Sequence, residues 1–163
     1  MGLDTYFFKT KKADWARAQE EFAAYEALPE EKKSETKNPY EEWCPEEIGY
    51  FRKVNFLMAF FAYYGNCEYK EISKYEFKKL VEKCTEVYRI GKANRDEDGW
   101  KGDLSEETIE RLTNLLPTCS GFFFGSTDYD EWYFDEVGEV LSWAENVLDN
   151  YGDDEVVLMY CWW

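Results

Sequence analysis

The feature that most constrains this chain is an uninterrupted apolar run at residues 56–64. Its nine residues carry no charge, and five of them are aromatic. The run is apolar on nearly every side and predicts a central buried helix, because such a helix is stable only when other elements cover it. It is too short to cross a membrane, and charged residues flank it. We therefore expect the 163 residues to form one domain, residues 1–163, with a sizeable core around this helix.

Shorter patterns on both sides of the run predict an α+β fold. Short apolar or β-branched segments predict about four strands, at residues 3–8, 68–72, 122–124 and 156–160. Apolar residues at helical spacing predict about five helices, at residues 15–28, from Pro45 through the buried run, at 73–90, at 103–116 and at 128–151. Residues 30–42 and 91–102 are polar and predict surface loops. Strands and helices do not alternate regularly, which favours a single compact α+β domain with a small mixed sheet.

Capping residues mark the predicted helix starts. Ser73 and Glu76 have the spacing of a capping box, in which each side chain bonds the backbone N–H of the other residue. The other predicted N-caps are Asp14, Asp103 or Ser105, and Asp128.

The charge of the chain is strongly acidic and unevenly distributed. The net charge is −16, and residues 112–163 hold eleven Asp or Glu residues with no Lys or Arg. A surface of this kind repels nucleic acid and anionic membranes, so we expect no direct binding to either. It attracts a basic partner, or it serves only to keep the protein in solution. Aromatic residues make up 20% of the chain, and they either fill the core or form part of a binding surface.

The cysteine and histidine content narrows the chemistry. The five cysteines include no C-x-x-C spacing, and histidine is absent, which argues against a zinc site and excludes a Ser–His or Cys–His nucleophile. Asp4 and Lys9 interrupt any apolar stretch that could act as a signal peptide. We expect a cytoplasmic protein with reduced thiols, without a cofactor and without a metal site.

Residues 117–133 form the segment most typical of a binding site. The three phenylalanines at 122–124, between two glycines, predict a buried strand that is followed by a small polar loop and a helix start. Ligands commonly bind where an exposed loop lies between rigid elements. We expect the residues that bind a ligand or partner to converge there in one concave patch: Arg52, Asn55, Ser120, Ser126, Tyr129, Asp130 and Tyr133.

Three side-chain groups near this segment have both a chemical and a structural interpretation. Cys119 is either a thiol activated by a helix start or a small buried filler. Asp130 and Glu131 are either paired carboxylates for acid–base work or magnesium, or solvated acids of a first helical turn. Arg52 either pairs with an acid of the last helix or holds an anionic ligand. None of these patterns is a specific catalytic motif, and we predict no catalytic residue.

Three segments carry a resemblance to a known family: residues 1–6 (MGLDTY), residues 49–55 (GYFRKVN) and residues 116–130 (LPTCSGFFFGSTDYD). On these motifs the chain resembles, over most of its length and in the same order, a family of small proteins carried by bacteriophages, prophages and gut bacteria. That family often has Trp where this chain has Phe51, Ala where it has Val54 and Met where it has Thr5. The resemblance implies a phage or mobile-element setting, and it implies neither a mechanism nor any functional residue.

These observations favour a cytosolic binding protein of phage or mobile-element type, which acts on a host protein or a small ligand through residues 117–133. One alternative is a metal- or nucleotide-dependent enzyme that uses Asp130 and Glu131. Another is an acidic mimic of nucleic acid that inhibits a host nucleic-acid-binding protein. In the mimic, evenly spaced carboxylates imitate phosphates along one side of the last helix, at Glu131, Asp135, Glu139 and Asp149. The oligomeric state stays open.

Overall fold

The protein has an α+β fold. The structure is a computed structural model and describes residues 2–43, 46–65 and 67–163. The strands in these ranges are β1 (Asp4–Lys11), β2 (Glu46–Arg52), β3 (Tyr69–Ile72), β4 (Arg95–Asp96), β5 (Gly99–Trp100) and β6 (Glu155–Trp162). The helices are α1 (Lys12–Glu26), α2 (Glu30–Lys33), α3 (Pro39–Glu42), α4 (Phe56–Phe60), α5 (Lys74–Ala93), α6 (Glu106–Leu115) and α7 (Glu131–Asp149).

The main sheet has four strands in the order β2-β1-β6-β3. Every neighbouring pair in it is antiparallel, so the prediction of a mixed sheet was wrong. Its two central strands, β1 and β6, pair over eight residues. The separate pair β4 and β5 is a short hairpin inside the predicted loop 91–102.

The larger core lies between one face of this sheet, its inner face, and α4, α5 and α7. Phe7 of β1 is fully buried at its centre. The Phe7 ring lies 4.5 Å from Trp143 of α7, 5.9 Å from Phe61 and 6.3 Å from Phe77 of α5, measured between ring centroids. Aromatic rings in such tilted and edge-on contacts are favourable beyond their buried area, so β1 binds both helices through one side chain.

The opposite face of the sheet, its outer face, is only partly covered. Helix α1 lies on Val156 and Leu158 of β6 through Trp15 and Ala18, and these residues form a smaller core. Two residues after Leu158, on the same face, the four strands each place a tyrosine at the same position of the register. We refer to these residues as the tyrosine row: Tyr50, Tyr6, Tyr160 and Tyr69. Neighbouring rings in this row lie 5.0 to 6.4 Å apart, within reach of cross-strand stabilisation.

Several predicted elements are confirmed. The strands predicted at residues 3–8, 68–72 and 156–160 correspond to β1, β3 and β6. The capping box of α5 is present, since Ser73 Oγ accepts from the Glu76 N–H and the Glu76 carboxylate accepts from the Ser73 N–H. Ser105, rather than Asp103, caps α6.

The segment 122–124 is not a strand. It is part of a turn, closed by a hydrogen bond of 3.2 Å from the Phe124 N–H to the Gly121 carbonyl. The turn forms because the Phe124 ring folds back over Gly121, where a Cβ atom would lie 2.5 Å from the ring. Only Phe124 is buried, whereas Phe122 is 77% exposed and Phe123 is 47% exposed.

The helix predicted from Pro45 was also wrong. Pro45 lies outside the described residues, and Glu46–Arg52 form the edge strand β2. Helix α7 packs on β2 at Gly49, which has no side chain to block the Trp143 indole. The Trp143 indole also donates a hydrogen bond of 2.6 Å to the Ile48 carbonyl. The central helix α4 is shorter than predicted and ends at Phe60, before the left-handed backbone of Ala62 (φ 47°).

Three local predictions differ from the structure in smaller ways. The N-cap of α1 is Lys11 rather than Asp14, because α1 follows β1 directly. The N-cap of α7 is Asp130 rather than Asp128. The predicted loop 30–42 contains the short helices α2 and α3.

Two glycines in the contact between α5 and α7 provide a matched test of this packing. A Cβ atom at Gly91 would lie 2.5 Å from the buried Phe134 ring, whereas one at Gly138 would lie 2.9 Å from the partly exposed Tyr88 ring. We expect Gly91→Ala to lower the free energy of unfolding by about 1–3 kcal/mol, because overpacking exceeds the gain in helix propensity. Gly138→Ala should change it by less than about 1 kcal/mol, because the Tyr88 ring can move. Urea denaturation measures both, and equal effects would contradict this account of the contact.

Candidate functional site

The three sequence segments that carry the family resemblance meet at one place. The Leu3 N–H donates to the Phe123 carbonyl at 3.3 Å, and the Lys53 N–H donates to the Leu3 carbonyl at 2.7 Å. Gly125 (φ 96°) lies directly against Lys53, where a Cβ atom would be 3.2 Å from the Lys53 Cβ and 3.3 Å from its carbonyl oxygen. The start of β1, the end of β2 and the loop 117–127 are therefore joined through backbone contacts.

Asn55 holds the loop in this position. It is 3% exposed, and its Nδ2 donates to the Phe124 carbonyl at 3.3 Å and to the Ser126 carbonyl at 2.8 Å. Its Oδ1 accepts from the Cys119 N–H at 3.2 Å, and its own carbonyl accepts from the Cys119 thiol. One buried amide thus binds both sides of the loop, which gives Asn55 a structural role.

The turn holds two aromatic side chains in solvent. The Phe122 and Phe123 rings contact one another, with centroids 4.2 Å apart and an interplanar angle of 57°. Phe123 has a left-handed backbone (φ 64°), which is a rare and strained conformation for a bulky residue. Trp132, in the first turn of α7, is 77% exposed as well.

A small cleft, which we call the loop cleft, lies between this loop and the start of α7. Its volume is about 250 Å³. Four of the seven predicted site residues line it: Asn55, Ser126, Asp130 and Tyr133. Sequence reasoning did not place Lys53, Phe56, Thr118, Gly125, Asp128, Trp132 and Glu136 in this lining. Position in the first two turns of α7 is the signal that could have indicated Trp132 and Glu136, which follow the cap Asp130 by two and six residues.

The other three predicted residues do not line the loop cleft. Arg52 is exposed at the end of β2, in register with Asp4 on the outer face of the sheet, and it forms no salt bridge with Asp130. Ser120 is exposed beside the turn. Tyr129 lies behind the lining, with its ring 4.9 Å from that of Tyr133 and its hydroxyl 3.2 Å from Thr113 Oγ1.

Asp130 and Tyr133 connect the end of α6 to the start of α7. The Asp130 carboxylate caps α7 by accepting from the Tyr133 N–H at 3.0 Å. The buried Tyr133 hydroxyl donates to the Leu116 carbonyl at 2.7 Å, and burial raises the pKa of Tyr133 far above its ordinary value. Tyr133 is therefore a neutral hydrogen-bond donor that fixes the cleft wall.

The arrangement does not favour the chemical roles considered for Cys119, Asp130 and Glu131. Glu131 pairs with Arg95 at 3.5 Å, while Asp130 caps the helix, so the two carboxylates serve different partners. Within residues 2–43, 46–65 and 67–163, no cluster of three metal-ligating side chains is present. Burial raises the pKa of the Cys119 thiol, which opposes activation as a thiolate. Cys84, Cys119 and Cys161 are free thiols.

Glu136 is the most perturbed carboxyl of the loop cleft. Burial, followed by the charges of Asp130 and Glu139, raises the pKa of Glu136 from its ordinary 4.5 to about 7. Burial and neighbouring negative charge both disfavour the charged form, so the two causes act in the same direction.

No protein-family model, curated protein or solved structure matches this chain. The family resemblance of the three motifs therefore stays a prediction. Among the residues that the structure describes, no helix is both long and apolar enough to span a membrane.

Removal of the Asn55 amide should release the loop. We expect Asn55→Ala to lower the free energy of unfolding by about 2–4 kcal/mol, because it leaves the buried polar groups of Cys119 and Phe124 without partners. Ser126→Ala, which removes only an exposed hydroxyl, should cost less than about 1 kcal/mol. Urea denaturation gives both values, and hydrogen exchange should show faster exchange of the Cys119 amide in Asn55→Ala only. An unchanged Cys119 exchange rate in Asn55→Ala would contradict the conclusion that Asn55 holds the loop in place.

Glu136 should make stability fall as pH rises toward neutrality. Its raised pKa means that the stability it contributes is full below about pH 4.5 and is lost as pH rises through about 7. Glu136→Gln should therefore stabilise the protein by about 1–3 kcal/mol near pH 8 and leave it almost unchanged near pH 4.5. Urea denaturation across this range measures the difference, with Glu145→Gln as the control for loss of one exposed charge on the same helix. Parallel pH profiles for wild type and Glu136→Gln would contradict the prediction.

Proposed function

We propose that this chain is a protein-binding module that presents Phe122, Phe123 and Trp132 to an apolar pocket on a partner. The observation that carries the proposal is the pair of exposed phenylalanines on a loop that Asn55 holds in place. Large exposed aromatic side chains are enriched at the energetic centres of protein interfaces. A loop held in one conformation loses little entropy when it binds, which favours affinity.

The strain at Phe123 supports the same function. A left-handed backbone at a phenylalanine costs free energy, and Gly or Asn would adopt it more easily. Hydrogen bonds from Leu3 and Asn55 to the carbonyls of Phe123 and Phe124 hold the turn despite this cost. Strained backbone conformations of this kind cluster at functional sites.

The charge around these aromatics indicates the chemistry of the partner. Asp128 and Asp130 line the adjacent cleft together with one cation, Lys53, and residues 112–163 contain no Lys or Arg. A partner with a basic rim around an apolar pocket is complementary to this surface, whereas nucleic acid is repelled by it. The motif resemblance adds the setting, a phage or mobile-element protein that acts on a cytosolic protein of its bacterial host.

Three observations favour a protein partner over the other candidates. The loop cleft, at about 250 Å³, is smaller than the roughly 300–1,000 Å³ typical of small-molecule sites. Arg95 neutralises part of the acidic side of α7, because it pairs with Asp135 at 2.5 Å and with Glu131 at 3.5 Å, which weakens a phosphate-mimicking array. The divergent roles of Asp130 and Glu131 disfavour a metal- or nucleotide-dependent enzyme.

Replacement of the three exposed aromatics tests the proposal. The immobilised chain is used to retain proteins from a bacterial cytosolic extract, and a retained protein is purified and its Kd measured. The triple variant Phe122→Ser, Phe123→Ser, Trp132→Ser should weaken this Kd by about 100-fold or more, since interface aromatics contribute most of the binding energy. Binding should also weaken as salt is raised, because the complementary charges are screened.

Two exposed tyrosines elsewhere provide the matched control. Tyr64 is 82% exposed and Tyr75 is 66% exposed, so Tyr64→Ser with Tyr75→Ser removes similar aromatic surface away from the loop. This control should bind like the wild type. Circular dichroism and urea denaturation establish that each variant is folded. A folded triple variant that binds the partner as tightly as the wild type would overturn the proposal, as would failure of the wild type to retain any protein specifically.

A further inference from the structure

A second and larger cleft lies on the outer face of the sheet, between α1, α3 and the ends of β3 and β6. Its volume is about 570 Å³. Five aromatic side chains from four elements line it: Trp15, Phe22, Tyr40, Tyr69 and Tyr160. We call it the aromatic cleft. It uses no residue of the loop cleft, and α7 lies on the other face of the sheet.

The rings form a continuous wall around Tyr40. The Tyr40 ring stacks on Phe22 at 4.3 Å and on Trp15 at 5.3 Å, and it meets Tyr69 at 5.1 Å with an interplanar angle of 55°. Tyr69 continues to Tyr160 at 5.0 Å. The wall is anchored, because Trp15 is buried and its Nε1 donates to the Glu71 carboxylate at 2.5 Å.

The charged lining of the aromatic cleft has a single sign. Glu26, Glu41 and Glu68 contribute carboxylates, and none of the described lining residues is Lys or Arg. All three glutamates are exposed, and none forms a salt bridge with another described residue. Burial is the main cause that raises the pKa of Tyr40, and the negative charge of Glu26 raises it further. The Glu26 carboxylate therefore interacts electrostatically with Tyr40 in the aromatic wall.

We propose that the aromatic cleft binds an organic cation, with an alkylated ammonium group against the ring faces and the carboxylates at the rim. Aromatic faces carry negative partial charge and attract cations, with the greatest gain when the cation gives up little hydration. An alkylated ammonium is weakly hydrated and offers apolar methyl groups to the rings. Anions are repelled by the three glutamates, and the net charge of −16 draws cations toward the protein.

An aromatic ring and a carboxylate already bind a cation elsewhere on α1. The guanidinium of Arg17 lies 4.1 Å from the centre of the Trp43 ring, and Arg17 Nε donates to the Glu21 carboxylate at 3.0 Å. The Trp43 indole donates to the other oxygen of Glu21 at 2.7 Å. Here one ring and one carboxylate hold a cation of the protein itself. The aromatic cleft combines the same groups in larger number and lacks a cation from its described lining.

Choline and its neutral isostere provide the direct test. The purified full chain is titrated with choline and, separately, with 3,3-dimethylbutan-1-ol, and binding is followed by calorimetry and by the Trp and Tyr signals. Choline should bind at least about tenfold more tightly than the isostere, since only the positive charge differs. Equal binding of the two, or no binding of choline at millimolar concentration, would overturn the proposal.

Two sets of substitutions locate the site. Glu26→Gln, Glu41→Gln and Glu68→Gln together should weaken choline binding about tenfold, because the rim carboxylates are lost. The control set Glu20→Gln, Glu31→Gln and Glu42→Gln removes the same total charge outside the cleft and should weaken it less than about twofold. Tyr40→Leu should reduce the preference for choline over the isostere, because it removes the central ring of the wall, with folding verified by circular dichroism. Equal effects of the two glutamine sets would overturn the assignment to this cleft.

The source of the ammonium group is resolved by a third titration. A short peptide that carries trimethyl-lysine offers the same cation on a protein side chain, and its unmethylated form is the control. Tighter binding of the methylated peptide than of choline assigns the cleft to a modified protein. Tighter binding of choline assigns it to a small molecule, and binding of neither contradicts the proposal.

Discussion

The pairing of β1 with β6 is the interaction on which the rest of this structure depends. The two strands lie more than 140 residues apart along the chain, and they form the centre of the main sheet through eight antiparallel register pairs. β2 pairs with β1 and β3 pairs with β6, so the two halves of the sheet are joined through this central pair. Closing so long a loop costs conformational entropy, which the aromatic contacts of Phe7 with α5 and α7 help to offset.

The alternation of side chains along β1 assigns a different role to each face of the sheet. Leu3 and Phe7 lie in the larger core, and Leu3 also receives the loop that carries Phe122 and Phe123. Tyr6 lies on the outer face in the tyrosine row, which ends at the wall of the aromatic cleft in Tyr160 and Tyr69. One central strand therefore helps to support both candidate binding surfaces, because successive side chains of a strand point to opposite faces.

Acidic charge gives the two surfaces a common preference. Carboxylates line both clefts, through Asp128, Asp130 and Glu136 in one and through Glu26, Glu41 and Glu68 in the other. The surfaces differ in size and in what they expose. The loop cleft is small and stands beside exposed aromatics that suit a protein partner, whereas the aromatic cleft has more than twice its volume and rings as walls. Basic partners and organic cations are the matching chemistries.

The sequence by itself determined the elements whose causes are local: β1, β3 and β6, the Ser73–Glu76 capping box of α5, the apolar stripe of α7 and the α+β class. Only the tertiary structure decided that residues 122–124 form a turn that exposes Phe122 and Phe123, and that β2 is a strand. The turn depends on Asn55, which binds the Phe124 carbonyl 69 residues later in the chain, and β2 depends on pairing with β1 and on Trp143 packing at Gly49. Hydrogen bonds and ring contacts between residues so far apart leave no periodic signal in the local sequence, because they follow from where the strands place their ends.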